Sequence, residues 1–105
     1  MTTNQSMARR LEQWVAQGVT LLDFDAPWCT PCRAQTPIVR ALEKTFNGKA
    51  RVKIVDIERN REIAFKLGIQ SIPTIILYKN GQEMKRFIGL QTGDTLSRAL
   101  QLLIS

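Results

Sequence analysis

Trp28-Cys29-Thr30-Pro31-Cys32 ends one sequence pattern and opens another. Before it, Val19 to Phe24 is a short apolar run fit for a buried strand. After it, Ala34, Ile38, Val39, Leu42 and Phe46 recur at helical spacing. The two cysteines are the only ones in the chain, and two residues separate them. Thiols in that setting form a reversible dithiol/disulfide pair, in which one attacks and the other resolves. A strand feeding directly into a helix also begins a βαβ unit, which points to an α/β fold.

The exchange needs one cysteine as thiolate near neutral pH. A free thiol titrates at about 8.5, and the unpaired N–H groups and dipole of a helix N-terminus lower that value. Cys29 falls at the strand-to-helix junction and is expected to be the activated, exposed nucleophile. Cys32, one turn in, is expected to be shielded and to attack the mixed disulfide. Pro31 suits a first helical turn, where its missing N–H costs nothing. The rival chemistries are weaker. Zinc takes about four ligands, and the chain has two cysteines and no histidine. The missing histidine also removes a Cys-His hydrolase. A purely structural disulfide stabilises little across so short a loop.

Outward from the motif, Met7, Leu11, Trp14 and Val15 lie on one face of a helix that Asn4 or Ser6 can cap and Gly18 can end. Pro37 sits inside the helix after the cysteines and predicts a kink, and Asn47-Gly48 closes that helix. Val52 to Ile57 is β-branched and reads as a strand. Asn60 is placed to cap a short helix over Glu62 to Leu67. Thr74 to Tyr78 and Glu83 to Ile88 read as strands around Asn80-Gly81, a hairpin turn signal. Thr92 can cap a last helix with Leu96, Ala99, Leu100 and Leu103 on its apolar face. Alternation followed by a terminal hairpin predicts a mixed sheet with helices on both faces.

The 105 residues fit one domain, residues 1–105, with an apolar fraction of 44% that is ordinary for a packed soluble core. The net charge of +6 is scattered without a block of like charges. It favours acidic protein partners and argues against a nucleic-acid tail. No run reaches the roughly 20 apolar residues of a membrane span. Met1 to Arg10 is polar and lacks the apolar block of a secretory signal. A cytoplasmic location follows as the expectation, with cysteines resting mainly as thiols.

Several stretches together resemble the thioredoxin family over nearly the whole chain. They are Asp23-Phe24, Ala26-Pro27-Trp28-Cys29-Thr30-Pro31-Cys32, Pro37, Ser71-Ile72-Pro73-Thr74, Lys79-Asn80-Gly81 and Gly89. The resemblance implies a thioredoxin fold and a protein-disulfide reductase with catalytic Cys29 and Cys32. It implies a cis bond at Ile72-Pro73 facing the dithiol, with the Ile72 backbone pairing with an extended client segment. Trp28, Thr30, Pro31, Gly89 and Leu90 then complete the surface on which the client lands. Asp23 becomes a buried carboxyl behind Cys32, its pKa raised by burial, that assists proton transfer. The family implies no bound cofactor, no metal, disulfide-containing client proteins, a thioredoxin reductase-like electron donor, no nucleic acid or membrane partner, and a monomer.

The chain also departs from the family pattern. Thr30 replaces the usual glycine, Asp25 replaces a tryptophan, and Ile54 replaces a lysine that faces the buried acid. Asp25 disfavours a nearby thiolate if it is ionised and close, and not if it points to water. Lys53 is expected on the opposite face of its strand. Thr2 to Gln5 is too polar for the family's first strand, so four main strands and four helices are expected. The departures keep two alternatives open: a more oxidising protein with a dedicated client, and a redox-inert binding module on the same fold.

Overall fold

The computed structural model describes the backbone of residues 3–105 and the side chains of residues 9–105. Strand β1, Val19–Asp25, organises the molecule. It pairs in parallel with β2, Ala50–Asp56, and antiparallel with β3, Thr74–Lys79. Strand β4, Gln82–Ile88, adds antiparallel to β3, giving the order β2-β1-β3-β4. The remaining elements are helices α1 (Thr3–Ala16), α2 (Thr30–Thr45), α3 (Arg61–Lys66) and α4 (Gly93–Ile104).

Because β1 is central, both of its faces must be covered, and alternation divides its side chains between two cores. Val19 and Leu21 pack with Val39, Leu42 and Phe46 of α2 and with Leu96 and Leu100 of α4. Leu22 and Phe24 pack on the other side with Leu11 of α1 and Ile63 of α3. The expected mixed sheet with helices on both faces is therefore present. The apolar stripe of α1 behaves as its spacing requires: Leu11 is buried, and Trp14 and Val15 are packed against the second core. The expected contribution of Met7 to that stripe lies outside the described side chains.

The turns follow their local chemistry. Asn80 and Gly81 both adopt positive φ, 50° and 86°, as a tight hairpin turn demands. The turn is docked on the end of α1, where the Gly81 N–H donates to the Val15 carbonyl at 2.7 Å. Thr92 caps α4 by accepting the Thr95 N–H at 3.1 Å. Asn60 occupies the cap position of α3, but its side chain turns back and donates to the Asp56 carbonyl at 2.9 Å. Its expected capping bond is thus replaced by one that ties the loop to β2.

Two expectations at the start of the chain change. Helix α1 opens at Thr3, so Asn4 and Ser6 lie inside it and neither is the cap. The polar segment Thr3 to Gln5 is helical, and among the described residues no strand precedes β1. Thr2 lies outside the described residues. Leu96 is fully buried between α2 and the sheet. Leu96→Ala is expected to cost about 2–5 kcal/mol of stability, read as a lower denaturant midpoint with an unchanged slope.

Candidate active site

Cys29 and Cys32 are joined as a disulfide, with their Cα atoms 5.3 Å apart. Cys29 is the N-cap of α2, with φ −90° and ψ 110°. Its sulfur accepts the Cys32 N–H at 3.2 Å. Pro31 falls in the first turn, where no intrahelical donor is lost. A helix of 16 residues therefore directs its N-terminal end at one sulfur. Such an end offers unpaired N–H groups and partial positive charge to a thiolate.

Cys29 is not the exposed residue that its position predicts. It is 4% exposed, against 2% for Cys32. Ala26, Ile57 and Ile72 pack around the pair. The difference arises from tertiary packing: the loop before α3 and the loop before β3 both fold over the junction. The Ile72-Pro73 bond is cis, and the Ile72 carbonyl oxygen lies 3.7 Å from the Cys29 sulfur. Pro73 itself is buried.

Of the residues expected to form the client surface, Trp28 is 64% exposed, and Thr30, Pro31 and Leu90 are exposed as well. The Trp28 indole is held by donating to Glu58 Oε1 at 2.6 Å, and Glu58 also pairs with Arg61 at 3.1 Å. These two bonds hold the Glu58 carboxyl below its usual range, the indole bond foremost. Gly89 adopts φ 91°, a conformation that favours glycine, and its N–H donates to the Pro73 carbonyl at 2.8 Å. This bond brings Gly89 next to Pro73.

Three residues to which the sequence reading gave no role at the site add to the arrangement. Ile88 pairs with Thr74, directly after the cis proline, and is 68% exposed. Glu58 fixes the indole. Gln35 is fully buried on the same α2 face as Cys32, Val39 and Leu42. Its amide donates to the Gln91 carbonyl at 3.1 Å and accepts the Gln91 N–H at 2.8 Å, locking the Gly89 loop to the cysteine helix. A polar residue in a helical apolar stripe needs such a partner, so the signal for Gln35 was present in its spacing.

Asp23 is fully buried, and neither carboxyl oxygen has a hydrogen-bond partner. It shares its sheet face with Val19 and Leu21. Helix α2 runs back along that face, so its first turn lies towards the Asp23 end. The flanking register partners are Ile54 on β2 and Ile75 on β3. Lys53 faces the other way, its ammonium 5.0 Å from the Trp14 ring centre. Burial first, and the Asp25 charge second, push Asp23 up to about 7. No group of three or more His, Cys, Asp or Glu among the described residues is placed to hold a metal.

A mixed four-stranded sheet with a disulfide at the N-terminus of its second helix, closed by a cis-proline loop, defines a thiol–disulfide exchange protein. Comparison with known proteins agrees. The family model for thioredoxin matches residues 1–102. A thioredoxin of Rickettsia bellii is 43% identical over 76 residues, 72% of each chain. Thioredoxin 1 of a Nostoc species is 40% identical over 81 residues, 77% of this chain and 76% of the relative. A mutant thioredoxin from Halobacterium salinarum superposes with a TM-score of 0.85 at 28% identity, covering 92% of this chain and 85% of that one. The chain belongs to the thioredoxin family, and it is a thiol–disulfide oxidoreductase.

The buried Asp23 gives stability a defined pH dependence. In the unfolded chain the carboxyl ionises near its ordinary 3.8, and in the folded protein near 7. Its folded pKa is raised, so below the unfolded value it is neutral in both states and carries no penalty. As pH rises between the two values, the unfolded state alone loses the proton and stability falls. Above the folded value the loss is constant, up to about 4 kcal/mol. Denaturation of the wild type and of Asp23→Asn is expected to show the variant gaining relative stability from pH 4 to pH 7 and levelling off above. A constant difference across that range would contradict the assignment.

Proposed function

We propose that the protein is a general reductase of protein disulfides, with Cys29 as nucleophile, Cys32 as resolving thiol and Asp23 as proton carrier. The observation that carries this reading is the Cys29 sulfur capping α2, 3.2 Å from the Cys32 N–H. In the reduced protein the same donor and the helix dipole favour a Cys29 thiolate. That thiolate attacks one sulfur of a client disulfide and releases the other as thiolate. Cys32 then gives its proton to Asp23 and attacks the Cys29 sulfur. The Cys29–Cys32 bond forms, the mixed disulfide breaks, and the second client sulfur leaves. Two electrons pass from the dithiol to the client.

The client segment lands in an extended form beside Ile72, whose backbone offers strand-like pairing. Trp28, Thr30, Pro31, Gly89 and Leu90 supply the surrounding surface, and Pro73 keeps the approach short by lacking an N–H. The electrons reside on sulfur throughout, so the cycle uses no bound cofactor. A thioredoxin reductase-like protein returns the oxidised form to the dithiol. The cycle suits a monomer in the cytoplasm, where such a donor keeps thiols reduced.

Insulin reduction tests the whole reading. With thioredoxin reductase and NADPH, or with a chemical dithiol as donor, the wild type is expected to precipitate reduced insulin, and Cys29→Ser is expected to be inactive. Cys32→Ser is expected to accumulate mixed disulfides through Cys29, seen as a mass shift that a reductant reverses. Absence of turnover with both donors would refute general reductase activity.

A further inference from the structure

Asp25 is a charged side chain at the active-site end of the sheet that the exchange itself does not use. It closes β1 and is half-buried. Its register partner on β2 is a second acid, Asp56. Arg40 of α2 is the cation that acts on it. On the β3 side the residues paired with this end of β1 are Thr74 and Ile75, which carry no charge. Strand alternation sets Asp25 on the same face as Asp23, two residues on, with about 7 Å between their Cα atoms.

Asp23 has no means of spreading a negative charge. Both oxygens are unpartnered, and Ile54 and Ile75 occupy the flanking register positions. In that setting the nearest like charge has a large effect, because little polarisable surrounding screens it. We propose that Asp25 is a positioning residue for the exchange, its carboxylate holding the proton on Asp23 and so setting the pH at which Cys32 can be deprotonated for the resolving step. Burial first, and the like charge of Asp56 second, disfavour the Asp25 carboxylate, and Arg40 supports the effect by favouring it. Neighbouring acids of this kind titrate as a coupled set. The direction of the Asp23 shift, with Asp25 as its second cause, agrees with the geometry.

The step balances without any added reactant. Asp23 as carboxylate takes the Cys32 proton, the Cys32 sulfur bonds to the Cys29 sulfur, and the client sulfur departs with the electron pair of the broken bond. When Asp25 keeps Asp23 protonated, that acceptor is missing and the mixed disulfide persists. Lowering the charge at residue 25 is therefore expected to extend resolution to more acid solution.

The inference rests on the reading of Asp23 as proton carrier, and two measurements separate them. Carbon-13 NMR of the Asp23 carboxyl in the oxidised protein follows its titration directly, without any turnover. Reduced protein mixed with the aromatic disulfide DTNB gives two coloured thiolates, the first on Cys29 attack and the second on Cys32 resolution. Asp25→Asn is expected to lower the Asp23 midpoint and to speed the second phase about threefold or more on its acid limb. Asp25→Glu is expected to match the wild type in both. An unmoved midpoint in Asp25→Asn overturns the proposal, as does an equal shift in Asp25→Glu, which would assign the effect to packing. A moved midpoint with an unmoved second phase leaves the Asp25–Asp23 coupling intact and removes Asp23 as the proton carrier, which overturns the positioning role.

Discussion

Strand β1 is covered on both faces and paired on both edges, and the rest of the molecule is arranged around that constraint. Burying Val19 and Leu21 requires α2 and α4 on one side, and burying Leu22 and Phe24 requires α1 and α3 on the other. The chain leaves β1 only at its carboxyl end, through Ala26 to Trp28, and enters α2 at Cys29. The reactive sulfurs therefore stand where a buried strand releases its backbone to a helix cap. The cis-proline loop enters the adjacent strand β3 at the same end, so Ile72 meets Cys29 as a consequence of antiparallel pairing.

The electrostatics of this end are lopsided. The helix N-terminus favours negative charge on the Cys29 sulfur, while Asp23, Asp25 and Asp56 crowd the ends of β1 and β2. Ile54 takes the place of a counter-ion for Asp23, and Lys53 spends its charge on the Trp14 ring across the sheet. Asp23 is consequently held neutral through most of the acid range by burial, and by repulsion from its own strand. Two of the departures from the family pattern, Asp25 and Ile54, thus lie beside the same buried carboxyl.

Much of the fold was legible from local pattern. The hairpin at Asn80-Gly81, the Thr92 cap and the helical stripes all depend on residues close in sequence, and each forms as its spacing requires. The misreadings differ in cause. Asn60 gave up its capping bond for the carbonyl of Asp56, only four residues back, a choice between two local partners. Cys29 is shielded by Ile57 and Ile72, which lie far along the chain and outside any local propensity. The partners of Gln35 and Glu58, Gln91 and Trp28, are likewise 56 and 30 residues away, so spacing marked Gln35 as a buried polar residue without naming what it binds.

The sequence by itself determined the chemistry: two cysteines at helical-turn spacing, no histidine, and an apolar strand leading into them admit little other than thiol exchange. It also determined the two faces of each strand and helix, because hydrophobic period is a local property. Only the tertiary structure decided the surroundings of the sulfurs, from the Ile72 carbonyl beside Cys29 to the isoleucines flanking Asp23. Those distances depend on strand register and on how loops close over a junction. Register is fixed by packing summed over the whole sheet, which no single stretch of sequence encodes.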